Sequence, residues 1–265
     1  MSLSRTKMSR TKAGAGEPAG IFNGIVRTAA AAGIVAGLLL TGVQHLQVIP
    51  IIQQAEVFEA AHDAAPAAPV VHAHADGEQH AHAPAEAHEE AHSHGGWEPE
   101  DGVERTLYTA LADVSMGVGY ALLLAAVICL RGAAVTWRSG VLWGAAAYAV
   151  FFIAPSLGLP PELPGTAAAP VAARQAWWVC TALSTAVALG LLVFMSNHGR
   201  NLWLKVGAVA LLFVPHLVGA PQPLVHAMAA PAELEASFIV ATALANAVFW
   251  LALGGLTGYF YKKFA

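Results

Sequence analysis

The sequence predicts an all-α fold: a polytopic integral membrane helical bundle of five to six transmembrane helices, with a His-rich disordered extracytoplasmic loop. Three observations carry that prediction. Of the 265 residues, 57% are hydrophobic and only 11% charged, and the mean hydropathy is +0.56, which is not the balance of an ordinary soluble domain. Several apolar runs approach or reach the roughly 20 residues that a helix needs to cross a hydrocarbon core about 30 Å thick. Lys and Arg, finally, gather on alternate connections between those runs.

Residues 1–21 form a basic leader in which Arg5, Lys7, Arg10 and Lys12 sit in a doubled "SRTK". The first span, Phe22 to Leu46, follows. Basic residues before an apolar run also describe a secretory signal; the length of this run and its lack of a small-x-small site favour an uncleaved helix. Residues 47–106 form a His/Glu-rich extracytoplasmic loop. Residues 107–265 form the rest of the bundle, about five helices: Leu107 to Leu130, a short Gly140 to Ile153, Ala176 to Met195, Leu202 to Val218, and Ser237 to Tyr259.

Connections retained in the cytoplasm hold an excess of Lys and Arg. The leader, Arg131, Arg138, Arg200, Lys205, Lys262 and Lys263 therefore face inward, which puts both termini in the cytoplasm. On the outer side lie the His-rich loop, Pro155 to Gln175, and Gly219 to Ala236, where Arg105 and Arg174 are the only Lys or Arg. The net charge of −4 thus conceals a basic inner rim and an acidic outer face. Cys129 and Cys180 fall inside spans without CxxC spacing, so neither a disulfide framework nor a thiolate zinc site is expected.

The loop "HAHADGEQHAHAPAEAHEEAHSHGGWEPEDG", from His72, holds most of the histidines. It has too little apolar surface to build a core. His72, His74, His80, His82, His88, His92 and His94, with His62 before them, stand among Asp76, Glu78, Glu86, Glu89 and Glu90. Imidazole and carboxylate suit borderline divalent ions such as cobalt, nickel or zinc. The H-x-H pairs let a bent chain chelate with two rings, and His88 and His92 share a face if the segment turns helical. The plainer alternative is an Ala/Pro spacer kept soluble by its histidines.

A flexible N/O site binds copper and zinc at least as well as cobalt, so selectivity needs more ordered groups. Candidates gather at the outer ends of the spans. His45 follows Gln44 at the end of the first span. Glu56 lies eleven residues on, about three helical turns, with Pro50 placed to kink the helix between them. Asp113 sits inside the second span, where a carboxylate is costly and a function is the default hypothesis; an ion pair is the alternative. Glu162 is held in "PSLGLPPELPG", whose prolines forbid a continuous helix. Irregular backbone at that depth is tolerated when buried or lining a wet cavity, though a surface loop is also possible. Arg174, in the following "RQAWW", is the expected partner of Glu162, and the paired tryptophans fit an interfacial aromatic belt. His216 lies in "PHLVGAP" at the end of the fifth span. Asn246, in the last span, is expected to bond another helix. Ala29, Gly33, Gly37 and Thr41, and Gly254 and Gly258, are expected to pack helices closely.

With its His-bearing outer loop followed by "PSLGLPPELPG", "RQAWW" and "PHLVGAP", the chain resembles the CbtA family of probable cobalt transporter subunits over nearly its whole length after the leader. The resemblance implies a bacterial inner-membrane protein for cobalt uptake that supplies cobalamin synthesis. It also implies a small single-span, His-bearing partner (CbtB-like). The metal-ligand set expected here is the loop histidines with His45, Glu56, Asp113, Glu162 and His216. Cobalt is substrate, with nickel or zinc possible, and no resident cofactor is expected. No phosphate-binding Gly-x-x-x-x-Gly-Lys-Ser/Thr loop and no H-E-x-x-H motif occurs, so neither nucleotide hydrolysis nor another enzyme activity, nor nucleic-acid binding, is expected. The second reading is an outward-facing metal-binding protein that passes ions to another permease.

Overall fold

The structure, a computed structural model, describes residues 18–64, 99–194 and 202–265. The His-rich stretch with His72, His74, His80, His82, His88, His92 and His94 lies outside the described residues, as does most of the leader.

Helix α1 (Pro18–Gln47) and helix α2 (Ile49–Asp63) are separated by a turn at Val48, with Pro50 in the first turn of α2. Proline is tolerated there because the first helical N–H groups have no partner within the helix. Helix α3 (Val103–Arg131) ends on Gly132 in the left-handed conformation, φ 65°, which glycine adopts without steric cost. Helix α4 (Trp137–Tyr148) starts from a reciprocal cap between Thr136 and Ser139. It runs without a break through a π-helical turn (Ala149–Ile153) into α5 (Ala154–Ser156). Pro155 accounts for the widened turn, since its ring lacks an N–H and collides with the carbonyl four residues back. Helices α6 (Val171–Phe194), α7 (Leu202–Val218) and α8 (Ala232–Phe264) complete the chain.

Two antiparallel seams organise the bundle. In the first, α1 meets α3 at glycines: a Cβ placed on Gly37 would lie 2.6 Å from the Val114 Cα, and one on Gly117 would lie 2.6 Å from the Gly33 carbonyl. In the second, α4 meets α8, where Gly140 and Gly144 face Gly254 and a Cβ on Gly258 would lie 2.5 Å from the Thr136 carbonyl. The expected small-residue packing therefore holds in both places. Without a hydrophobic drive between helices in lipid, such close approach supplies dispersion contact instead. Helix α8 also packs on α1, with Leu40, Phe249, Trp250 and Leu253 buried in the shared core. Asn246 bonds its own helix, donating to the Thr242 carbonyl at 3.0 Å; the expected bond to a second helix is not the one formed.

Gly24 of α1 abuts the Phe264 carbonyl of α8, so these two ends share one end of the bundle. Arg131, Arg138, Lys205, Lys262 and Lys263 lie at that basic end by the helix directions. At the opposite end α2 and the loops 157–170 and 219–231 form a cap. The loops join through an antiparallel bridge between Thr166 and Met228, in which Ala167 donates to Ala227 at 2.9 Å and Ala229 donates to Gly165 at 3.2 Å. Gly165, at φ 74°, fits where a Cβ would meet Ala229 and Glu59 of α2.

Among the described residues five helices are long and apolar enough to cross a membrane. The third of them, Trp137–Ser156, is longer than the expected Gly140 to Ile153 because the π turn carries the helix past Pro155. The shorter apolar helix α7, described over 17 residues, packs on α6, and Trp177 near the start of α6 donates to the Pro215 carbonyl near the end of α7 at 3.2 Å.

Candidate functional site

The expected ligands outside the His-rich stretch all lie in the cap half of the bundle, but each has a different setting. Glu56, on α2, is gripped by Arg105 of α3. The guanidinium reaches both carboxylate oxygens, at 2.5 and 3.2 Å, and Asp101 at 2.8 Å. A planar fork on a carboxylate fixes orientation as well as charge, and here it ties the chain before the His-rich stretch to the chain after it. His45, at the end of α1, is exposed.

Asp113 is buried, 6% exposed, in the α1–α3 seam. Its Oδ2 accepts a hydrogen bond from Thr41 Oγ1 at 2.8 Å, and Gln44 is a second donor to the carboxylate. Thr41 was expected only to pack. Its hydroxyl instead has two acceptors, since it also lies 3.1 Å from the Gly37 carbonyl.

Glu162 and Arg174 form the expected pair, at 2.7 Å. They stand in a groove of about 740 Å³ between the π turn, the proline loop and α6, walled by Phe151, Phe152, Pro161 and Trp178. Phe151 stacks on Trp178 and on Trp250, with ring centroids 6.1 and 5.4 Å apart. The proline loop is seated by Gly158, where a Cβ would run into the Trp177 ring. His216 meets Trp177 edge-on at 5.8 Å. Trp177 is therefore buried and hydrogen-bonded, which an interfacial belt did not foresee; only its neighbour Trp178 is partly open, towards the groove.

Among the described residues, no three His, Cys, Asp or Glu side chains come together in a way that could hold a metal ion. The five ordered candidates are thus dispersed, and both Lys/Arg residues of the cap half, Arg105 and Arg174, are spent on carboxylates. Sequence reasoning missed two participants. Thr41 was hidden by its place in the small-residue stripe, and Arg105 was noted only for its charge, although its position one turn from Asp101 was visible.

A family model described as "Probable cobalt transporter subunit (CbtA)" matches residues 22–262. No curated protein and no solved structure matches the chain.

Proposed function

The chain belongs to the CbtA family of probable cobalt transporter subunits, and from that premise we infer that it is the permease subunit, moving Co²⁺ inward across a bacterial inner membrane. The observation that carries this reading is the polarity of the bundle. Lys and Arg crowd one end, as the cytoplasmic ends of spans do. The other end presents carboxylates and histidines, and both flanks of the His-rich stretch start from it. That stretch raises the local metal concentration at the outer face. Glu162, which lines the groove, and His216 handle the ion next. Two charges moving inward gain about 4.6 kcal/mol per 100 mV of membrane potential, so an ion needs no nucleotide hydrolysis to enter. A small single-span, His-bearing partner completes the transporter, and the cobalt delivered supplies cobalamin synthesis.

The dispersed ligands favour one competing reading, a metal collector that hands ions to another permease. Radioactive cobalt uptake into proteoliposomes decides between them, with and without the single-span partner and with nickel and zinc as competitors. Accumulation establishes the permease and ranks its ions; binding without accumulation makes the chain a collector. Glu162→Gln is expected to lower uptake at every cobalt concentration while the protein stays in the membrane. Unchanged uptake removes Glu162 from the path.

A further inference from the structure

Arg131 closes α3 at the basic end, where α4 begins and α6 finishes. Its guanidinium carbon lies 5.9 Å from the centre of the Trp143 ring on α4 and 5.1 Å from that of Phe194, the last residue of α6. The two rings are 6.0 Å apart between centroids. Three helices thus meet on one cation. Seven residues on, in the first turn of α4, the guanidinium of Arg138 lies over the Trp137 ring at 5.4 Å. Helix α6 packs on the π turn and α5 toward the cap, so the cluster at Phe194 joins its opposite end to α3 and α4.

No Asp or Glu among the described residues stands near these arginines. All of them lie on α2, on or just before the first half of α3, in the loop 157–170, or in the first turn of α8. The ion pairs of the described residues gather at the cap, on Arg105 and Arg174. Aromatic faces meet the needs of a guanidinium only in part. They attract its charge and steady its plane, but its N–H groups still require acceptors at the edge. Arg131 is exposed, so that edge is open to an anion from outside the chain.

The surface beside the charge is apolar. Leu130 is 87% exposed, Trp137 56% and Phe194 52%. A ligand that suits both features carries a negative headgroup on hydrocarbon. A phosphodiester fits the first requirement, because its oxygens take two parallel N–H bonds from one guanidinium, and basic pockets between the ends of membrane helices hold such headgroups. Its acyl chains fit the second. Free phosphate would use the charge and leave the apolar rim uncovered.

We propose that Arg131, steadied by Trp143 and Phe194, binds the phosphate of an anionic phospholipid where α3, α4 and α6 meet, with Arg138 as the neighbouring cation. The site is independent of what the bundle transports.

The test uses the full chain purified in a nonionic detergent and titrated, in mixed micelles, with phosphatidylglycerol or with phosphatidylcholine of the same acyl chains. Melting temperature and the lipid retained in native mass spectrometry are read together, since a ligand held by the folded state alone raises Tm. Phosphatidylglycerol should raise Tm and stay bound where phosphatidylcholine does neither. Arg131→Gln should weaken the apparent affinity about tenfold, the worth of one charge-assisted hydrogen bond. Phe194→Leu, which keeps the charge and loses a ring, should weaken it about threefold. Lys262→Gln removes an exposed charge from the same end and should weaken it less than Arg131→Gln does. Equal responses to the two lipids, equal losses in the Arg131 and Lys262 variants, or a Tm rise with inorganic phosphate that matches the rise with phosphatidylglycerol overturns the proposal. If Arg131→Gln does not reach the membrane, an unchanged affinity in Phe194→Leu overturns it.

Discussion

The α1–α3 and α4–α8 seams are built alike and differ at one level. Both are antiparallel, and both bring backbones together through glycine. Toward the cap, the first seam places Thr41 on Asp113. The second places the Tyr148 hydroxyl on the Ala243 carbonyl at 2.9 Å. One polar contact thus involves a carboxylate and the other a phenol hydroxyl and backbone. The difference teaches that close packing and chemistry are separable on one scaffold: glycines set the distance, and a single residue beyond them decides whether a charge can form there.

Substitutions that test the shared part should have the largest effect. Gly254→Leu puts a side chain where even a Cβ would lie 2.6 Å from the Gly144 Cα. Overpacking of this kind costs on the order of 3 kcal/mol, because here the neighbour is backbone and cannot turn aside. Gly37→Leu should fail equally, while Gly190→Leu, with nothing within 4 Å of its Cβ, should leave the yield and melting temperature of detergent-purified protein unchanged. A tolerated leucine in one seam only would break the equivalence.

The part that differs should respond less. Thr41→Val removes one of the two bonds from α1 to Asp113 and leaves the carboxylate to Gln44, for a loss of about 1.5 kcal/mol, near the upper end for bonds between membrane helices. Tyr148→Phe should cost about 0.6 kcal/mol, the average for such bonds, since the Ala243 carbonyl lies inside α8. Unfolding of the purified variants in mixed detergent micelles measures both. If the two losses were equal, the carboxylate would add nothing to the stability of its seam.

The bundle was legible because apolar runs and basic connections are local signals. The glycine and alanine stripe of α1 was legible for the same reason, and so was the pairing of Glu162 with Arg174, held twelve residues apart around a rigid proline loop. The bond of Thr41 to Asp113 joins residues 72 positions apart, and the grip of Arg105 on Glu56 spans 49. Such pairs depend on the rotation of one helix against another, which hydropathy does not encode. The bridge between loops 157–170 and 219–231 was hidden too, because a single pair of backbone bonds leaves no alternation of side chains to read. Helix α2 lies at the start of the stretch expected as loop, and only Pro50, in its first turn, marked it in the sequence.

Helix α8 runs for 33 residues, about 50 Å, against a hydrocarbon core about 30 Å thick. A helix longer than its bilayer tilts or stands out of the lipid. The two ends of α8, with Glu233 and Glu235 in the first turn and Lys262 and Lys263 in the last, therefore reach past the oily layer, and how far each stands in the headgroups should depend on the acyl chain length of the lipids that surround it.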